Sequence, residues 1–138
     1  MQLVTSSTTY QAEKQNWLYS HDGAKGAKPA TLAIALFTKA THFPNGYLPS
    51  GLELAVVTQA GPNLGKFGPY DPAASDGRQN SIVYLFTATE VRVETADVIG
   101  TVLDGTYTPT IVKSKLPIPT KLTAATEATV GRRFIFEN

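Results

Sequence analysis

The alternation of apolar and polar positions predicts a chain of short β-strands. Thr31–Thr38 alternates large with small residues, which is typical of a strand with one buried face, although its alanines also allow a short helix. Leu52–Thr58 is apolar except for one charged residue, Glu53. Ser81–Thr89 is the most apolar stretch of the chain and is predicted as a core strand. These segments predict the core of a mainly β domain.

The residues that follow predict further extended segments and one short helix. Val91–Thr95 alternates with a period of two that exposes its charges on one face. Val98–Thr108 predicts a hairpin around an Asp-Gly turn. Thr120–Ala128 is rich in Ala and Thr and predicts a short helix, with its first residue or Thr123 as the N-cap. Phe134–Phe136 predicts a closing strand.

Residues 65–79 interrupt this β pattern with turn-forming residues. The prolines of this stretch fix φ and remove backbone donors, so neither a helix nor a central strand can continue through it. Its glycines allow the positive φ that tight turns need. Asp71 and Asp76 are predicted to cap nearby amides, which we favour over a calcium site because the alternating acids of a calcium loop are absent. The stretch therefore predicts a strand ending near Tyr70, a shaped loop, and then a new strand.

Residues 1–29 differ from the rest and are predicted to be a flexible N-terminal arm, with the β-rich domain spanning 30–138. Ser, Thr, Gln, Gly and Lys dominate the arm, and too few apolar residues are present to offset the entropy lost on ordering. Trp17 is the single tryptophan of the chain. It either packs on the domain or anchors a partner, and the residues alone slightly favour packing.

The composition restricts the function classes. The chain has 138 residues, which suits one domain, and a net charge of +1 without the basic stripe of a nucleic-acid binder. It has no cysteine, so disulfides and thiolate chemistry are excluded. No apolar run approaches the roughly 20 residues of a membrane span, and the first residues do not resemble a signal peptide. We therefore expect neither a nucleic-acid nor a membrane partner.

The motifs searched for catalysis or cofactor binding do not occur. Gly61–Lys66 has the wrong spacing for a phosphate-binding loop and is followed by Phe67 rather than Ser or Thr. His21 and His42 have no carboxylate at metal-ligand spacing and are interpreted as surface or loop residues. No serine lies in a Gly-x-Ser-x-Gly elbow. We therefore predict no cofactor, no metal and no enzymatic activity.

One string carries a resemblance. Residues 65–79 read Gly-Lys-Phe-Gly-Pro-Tyr-Asp-Pro-Ala-Ala-Ser-Asp-Gly-Arg-Gln, and this string resembles the signature of the lambda-type head decoration, or capsid cement, proteins of tailed bacteriophages. The resemblance extends to Tyr47–Gly51, Ala96–Val98 and Gly131–Phe136, and so covers most of the chain from Trp17 onward.

The resemblance implies a structural virion protein on the outer surface of the phage head. Such proteins form trimers at local three-fold positions and bridge subunits of the major capsid protein, which stabilises the shell. The expected fold is a small, mainly β, β-barrel or β-tulip-like domain with little helix and an extended N-terminal arm. Alternatives are a tail or fibre component of the virion and a small β-fold hydrolase.

The resemblance also directs attention to two groups of residues. It favours docking of the arm on the capsid, with contacts from Val4, Thr5, Thr8, Thr9, Tyr10, Trp17, Leu18 and Tyr19. The loop is a candidate trimer or capsid interface, with contacts from Phe67, Tyr70, Asp71, Asp76 and Arg78. In the simpler interpretation Arg78 and Lys66 only pair with Asp71 or Asp76.

Overall fold

A computed structural model of the protein describes residues 15–19, 27–106 and 108–137. The strands are β1 (Ala27–Leu32), β2 (Tyr47–Leu48), β3 (Glu53–Val56), β4 (Phe67–Pro69), β5 (Val83–Leu85), β6 (Thr89–Glu90), β7 (Val98–Leu103), β8 (Thr110–Val112) and β9 (Ile135–Glu137). The helices are α1 (Lys39–His42) and α2 (Ala124–Thr129), with single 3-10 turns at Ile34–Leu36 and Lys113–Lys115. The prediction of a small, mainly β domain with little helix is confirmed.

Five strands close into a barrel in the order β1-β4-β3-β5-β7. β1 and β7 form its longest ladder, antiparallel from Ala27 opposite Leu103 to Leu32 opposite Val98. The barrel closes through a parallel contact of β1 with β4, where Leu32 lies opposite Phe67. Closure removes the open edges that a flat sheet of these strands would expose.

Two apolar clusters lie on opposite faces of the barrel wall. The first draws on all five strands, with Leu54 and Val102 among its members, and fills the barrel. The next residues along the same strands, Ala55 and Leu103, belong to the second cluster, because successive side chains of a strand point to opposite faces. The apolar run Ser81–Thr89 follows from this arrangement, since β5 is buried on both faces.

A small outer sheet covers one side of the barrel. β8 pairs in parallel with β9, and on its other side Leu18 forms an antiparallel bridge with Ile111. Leu18, Ile111 of β8 and Phe134, which directly precedes β9, all belong to the second cluster. The boundary between arm and domain predicted at 29/30 is therefore wrong, because it cuts through β1 and leaves residues 15–19 outside the domain to which they belong.

Three predicted elements differ from the structure. The strand predicted over Thr31–Thr38 ends at Leu32 and gives way to a 3-10 turn. The hairpin predicted over Val98–Thr108 does not form, because β1 and β5 already occupy both edges of β7. The alternation of Val91–Thr95 does not form a strand, and the chain bends after β6 so that Val91 is buried while Val93 is exposed.

Two local predictions are confirmed. α2 begins after Thr123, whose side chain accepts a hydrogen bond from the amide of Thr126 while the Thr126 side chain accepts one from the Thr123 amide, a reciprocal capping box. The closing strand predicted at Phe134–Phe136 is β9, displaced by one residue.

Candidate interaction surface

Residues 65–79 fold back onto the end of β3. The amides of Thr58 and Gln59 donate to the carbonyl of Asp76, at 2.9 and 3.0 Å. Within the stretch, β4 pairs with β3 and ends at Pro69, which confirms the strand predicted to end near Tyr70. The loop is thus fixed to the barrel at both ends.

Both aspartates of the loop cap neighbouring amides, as predicted. The Oδ1 atom of Asp71 accepts from the amide of Ala73 at 2.9 Å, and that of Asp76 accepts from the amide of Arg78 at 3.3 Å. Arg78 also donates through Nε to both carboxylate oxygens of Asp76, each at 3.1 Å, and through Nη1 to the carbonyl of Pro69 at 3.2 Å. Partial burial of Asp76 opposes its ionisation, but the hydrogen bonds from Arg78 outweigh this effect and lower the pKa of Asp76.

Gly77 is required by the close approach of the loop to β3. Its φ is +106°, and a Cβ atom there would lie 2.0 Å from Oγ1 and 2.8 Å from the amide nitrogen of Thr58. Gly68 faces a milder restriction, since its Cβ would lie 2.9 Å from a methyl group of Leu36. Glycine at position 77 is therefore a steric requirement of this fold, whereas at position 68 side-chain atoms of Leu36 and Arg78 would have to shift.

The structure changes the assignment of several loop residues. Tyr70 is only 1% exposed and belongs to the second core cluster, so its proposed role at an interface is corrected. Asp76 and Arg78 form an ion pair with each other, whereas Asp71 and Phe67 remain partly exposed. Lys66 pairs with Asp97 at 2.7 Å rather than with an acid of the loop.

The arm residues divide into two groups. Val4, Thr5, Thr8, Thr9 and Tyr10 lie outside the described residues. Trp17 and Leu18 are 0% and 6% exposed and lie in the second core cluster. Their assignment as capsid contacts is therefore corrected to core packing, which for Trp17 is the alternative that the residues alone had favoured. Tyr19 is 70% exposed and remains available to a partner.

Trp17 occupies a pocket built by residues that also carry the resemblance. Its Nε1 donates to Oγ of Ser50 at 3.1 Å, and Ser50 donates to the carbonyl of Phe86 at 2.6 Å. Its ring stacks on Tyr84 with centroids 5.8 Å apart. Gly51 makes room for the ring, because a Cβ there would lie 2.8 Å from Cδ1 of Trp17. The indole is thus both packed and hydrogen-bonded, as a buried tryptophan requires.

Glu53 is the one buried acid of the barrel wall among the described residues. It accepts hydrogen bonds from the Tyr84 hydroxyl at 2.9 Å, from the Lys121 amide at 2.9 Å and from the Thr120 hydroxyl. Burial raises the pKa of Glu53, although these hydrogen bonds act in the opposite direction. Glu53 is the single charged residue of an otherwise apolar stretch, and this was the sequence signal for the site. Its hydrogen bonds attach the C-terminal segment to the barrel.

The space beside Glu53 is too small for a substrate. The cavity has a volume of ≈ 20 Å³, about enough for one water molecule. His42 lines it, and burial together with the charge of Lys121 lowers the pKa of His42, whose Nδ1 accepts from the Thr38 amide at 2.9 Å. His42 is therefore a buried residue with a structural hydrogen bond, not the surface or loop residue predicted.

The outer sheet presents an exposed apolar pair. Tyr19 lies next to Thr110, to whose carbonyl its amide donates at 3.0 Å, and Thr110 lies opposite Ile135 in the register of β8 and β9. Both Tyr19 and Ile135 are more than half exposed. This pair lies beside the position where residues 15–19 join the domain.

Within the described part of the chain, no group of three or more His, Cys, Asp or Glu side chains is placed to hold a metal ion. None of the helices in that part is long and apolar enough to cross a membrane. Comparison of the chain with known protein families, with curated proteins and with solved structures found no match in any of the three.

Proposed function

We propose that this protein is a head decoration protein of a tailed bacteriophage, bound to the outer surface of the capsid. In this role it acts without catalysis, as a trimer at local three-fold positions, and bridges neighbouring subunits of the major capsid protein. Many weak contacts made at once would give the trimer its avidity for the shell.

The agreement between the signature string and the geometry of its loop carries the proposal. Gly77 is needed where the loop meets β3, Asp76 pairs with Arg78, and Asp71 caps the turn. Ser50 and Gly51, from the second stretch of the resemblance, build the pocket of Trp17. These residues specify one loop and one pocket, so their presence in both this chain and the head decoration proteins supports a common domain. The function of that family is therefore the best-supported one for this chain.

The test is binding to purified, undecorated heads, and the fold dictates its truncation. Removing residues 1–14 leaves Trp17 in place, whereas removal of residues 1–20 would also remove a core side chain. We expect the full chain to bind in multiples of three per facet position, and the chain lacking residues 1–14 to fold but bind weakly. Far-UV circular dichroism of the truncated chain controls for folding.

Two outcomes would change the proposal. If the full chain binds no head shell, decoration is refuted. If labelled protein is found at the tail and not evenly over the head, a tail component takes its place. The hydrolase alternative has no observation in its favour, because the cavity beside Glu53 is lined by a single acid and holds about one water.

A further inference from the structure

A second surface, outside the arm and shared with the loop only at Phe67, has the properties of a docking site. A groove of ≈ 360 Å³ lies where the barrel meets the C-terminal segment. Its apolar side chains, which include Val56, Phe67 and Val130, are buried or half-buried, whereas Arg132 and Arg133 are exposed. The groove therefore combines an apolar floor with a basic rim.

The rim has a positive charge that the described residues do not neutralise. Asp104 also lines the groove, but its carboxylate pairs with Lys28 at 2.7 Å. Partial burial opposes ionisation of Asp104, yet hydrogen bonds from Lys28 and Thr106 lower its pKa to about 2, so it stays charged and paired. Arg133 donates only to the carbonyl of Asp104, at 3.4 Å, and Arg132 has no ion pair in the described part of the chain.

The backbone that carries the two arginines is held in position. Gly105, with φ +86°, lets this segment approach β7, because a Cβ there would lie 2.5 Å from Cβ of Arg133. The next residue, Phe134, is buried and its ring meets Tyr84 edge-on with centroids 5.1 Å apart. A preorganised rim loses less entropy when a ligand binds.

The chemistry of the groove selects among anions. A guanidinium pairs with a carboxylate or a phosphate through two parallel hydrogen bonds. A phosphate backbone would satisfy the arginines but leave the apolar floor open to water, whereas an extended peptide can pair acidic side chains with the rim and bury an apolar one. The volume lies near the lower end of the roughly 300–1,000 Å³ of ligand sites, which suits a short segment of chain.

We propose that this groove docks an extended acidic segment of a protein partner, with an apolar side chain on Phe67 and carboxylates on Arg132 and Arg133. The identity of the partner rests on the proposed function: it would be an acidic segment of the capsid shell. The groove itself is tested without that assumption.

The first experiment uses the full chain and a defined probe. Backbone amide signals are followed by NMR during titration with the peptide acetyl-Glu-Phe-Glu-Leu-Glu-amide and with its counterpart in which lysine replaces each glutamate. We expect saturable shifts at residues 80–83 and 129–133 for the acidic peptide only, and their loss in R132E/R133E. No shift, or equal shifts with the lysine peptide, refutes the groove as an acidic docking site. Equal shifts with inorganic phosphate or with a DNA duplex would replace it by a general anion site.

The second experiment asks whether the shell is the partner. R132E/R133E is compared with R92E/K115E, which makes the same change in net charge at exposed positions outside the groove. We expect R132E/R133E to weaken binding to undecorated heads by at least about tenfold and the control to bind within about twofold of the original chain. Equal binding by both variants refutes the shell as occupant while leaving decoration intact, whereas failure of the unmodified chain to bind heads refutes decoration itself.

Discussion

Trp17 offers the sharpest test of the structure, because packing and interface roles predict opposite results for its removal. Its side chain is 0% exposed, stacked on Tyr84 and hydrogen-bonded to Ser50. Truncation of a buried tryptophan to alanine typically costs about 3–5 kcal/mol in stability. Domains of this size unfold with about 5–15 kcal/mol, so Trp17→Ala should remove about a fifth of the total or more.

The contributions of packing and of hydrogen bonding can be separated. Trp17→Phe keeps an aromatic ring on Tyr84 but loses the bond from Nε1 to Ser50, so it should cost less than Trp17→Ala, about 1–3 kcal/mol for a smaller ring and one lost hydrogen bond. Ser50→Ala removes the acceptor and leaves the indole N–H buried and unpaired, which should cost about 1–3 kcal/mol. The three changes act on one pocket, so their effects should not add.

Urea unfolding followed by far-UV circular dichroism measures these changes, and the fluorescence of the single tryptophan gives a second probe in chains that retain it. Tyr19→Ala is the matched control: it removes an aromatic ring two residues away that is 70% exposed, and should change stability by less than about 0.5 kcal/mol. If Trp17→Ala unfolds at the midpoint of the unmodified chain but loses binding to heads, Trp17 is an interface anchor and its burial in this structure is refuted.

Three further predictions concern the loop and the buried or paired charges. Gly77→Ala should destabilise the protein by about 2–4 kcal/mol, because its methyl group would clash with Thr58. Gly65 also has a positive φ but has open space around it, so Gly65→Ala should cost only about 1–2 kcal/mol in the same unfolding assay. Equal effects of the two substitutions would contradict the steric argument. Because burial raises the pKa of Glu53 in the folded state, its contribution to stability is present below the unfolded pKa of about 4.3 and is lost as pH rises through the folded pKa. The original chain should therefore lose stability relative to Glu53→Gln as the pH rises above about 4.3, and the opposite slope would refute the raised pKa. Lys28→Met should raise the pKa of Asp104 from about 2 toward its ordinary value in an NMR titration of the carboxyl carbon, while an unchanged pKa would mean that Thr106 alone holds it down.

The parts of the fold that depend on neighbouring residues could be predicted from the sequence. The turn at residues 43–46 closes through the amide of Gly46 and the carbonyl of Phe43, 3.0 Å apart, and an Asn-Gly pair marks it. The capping box at Thr123 and the aspartate caps of the central loop likewise involve residues at most three apart. In these places one side chain satisfies a backbone group close by in the chain, so local rules are sufficient.

The parts that depend on distant residues could not be predicted in this way. An Asp-Gly pair after a strand usually turns a hairpin, but here the edges of β7 are taken by β1 and β5, from elsewhere in the chain. For Trp17 the residues alone favoured packing, but the residues that form its pocket, Ser50 and Gly51, lie more than thirty residues away, and the composition around Trp17 gives no sign of them. The partners of Glu53 also lie far along the chain, at Thr120 and Lys121.

The residues that carry the resemblance are therefore different from the residues that remain exposed to a partner. Gly77, Arg78 and Tyr70 hold the loop on the barrel, and Ser50 and Gly51 hold Trp17, so these residues leave little of their surface for a partner. Side chains that can contact a partner without breaking the fold lie elsewhere in the described chain, in the Tyr19–Ile135 pair and on the basic rim at residues 132–133. It follows that substitutions at Gly77, Arg78 or Tyr70 should reduce binding to heads only as far as they reduce stability. Substitutions at the rim should reduce binding while stability stays the same, and this separation distinguishes the residues that build the domain from those that we propose attach it to the shell.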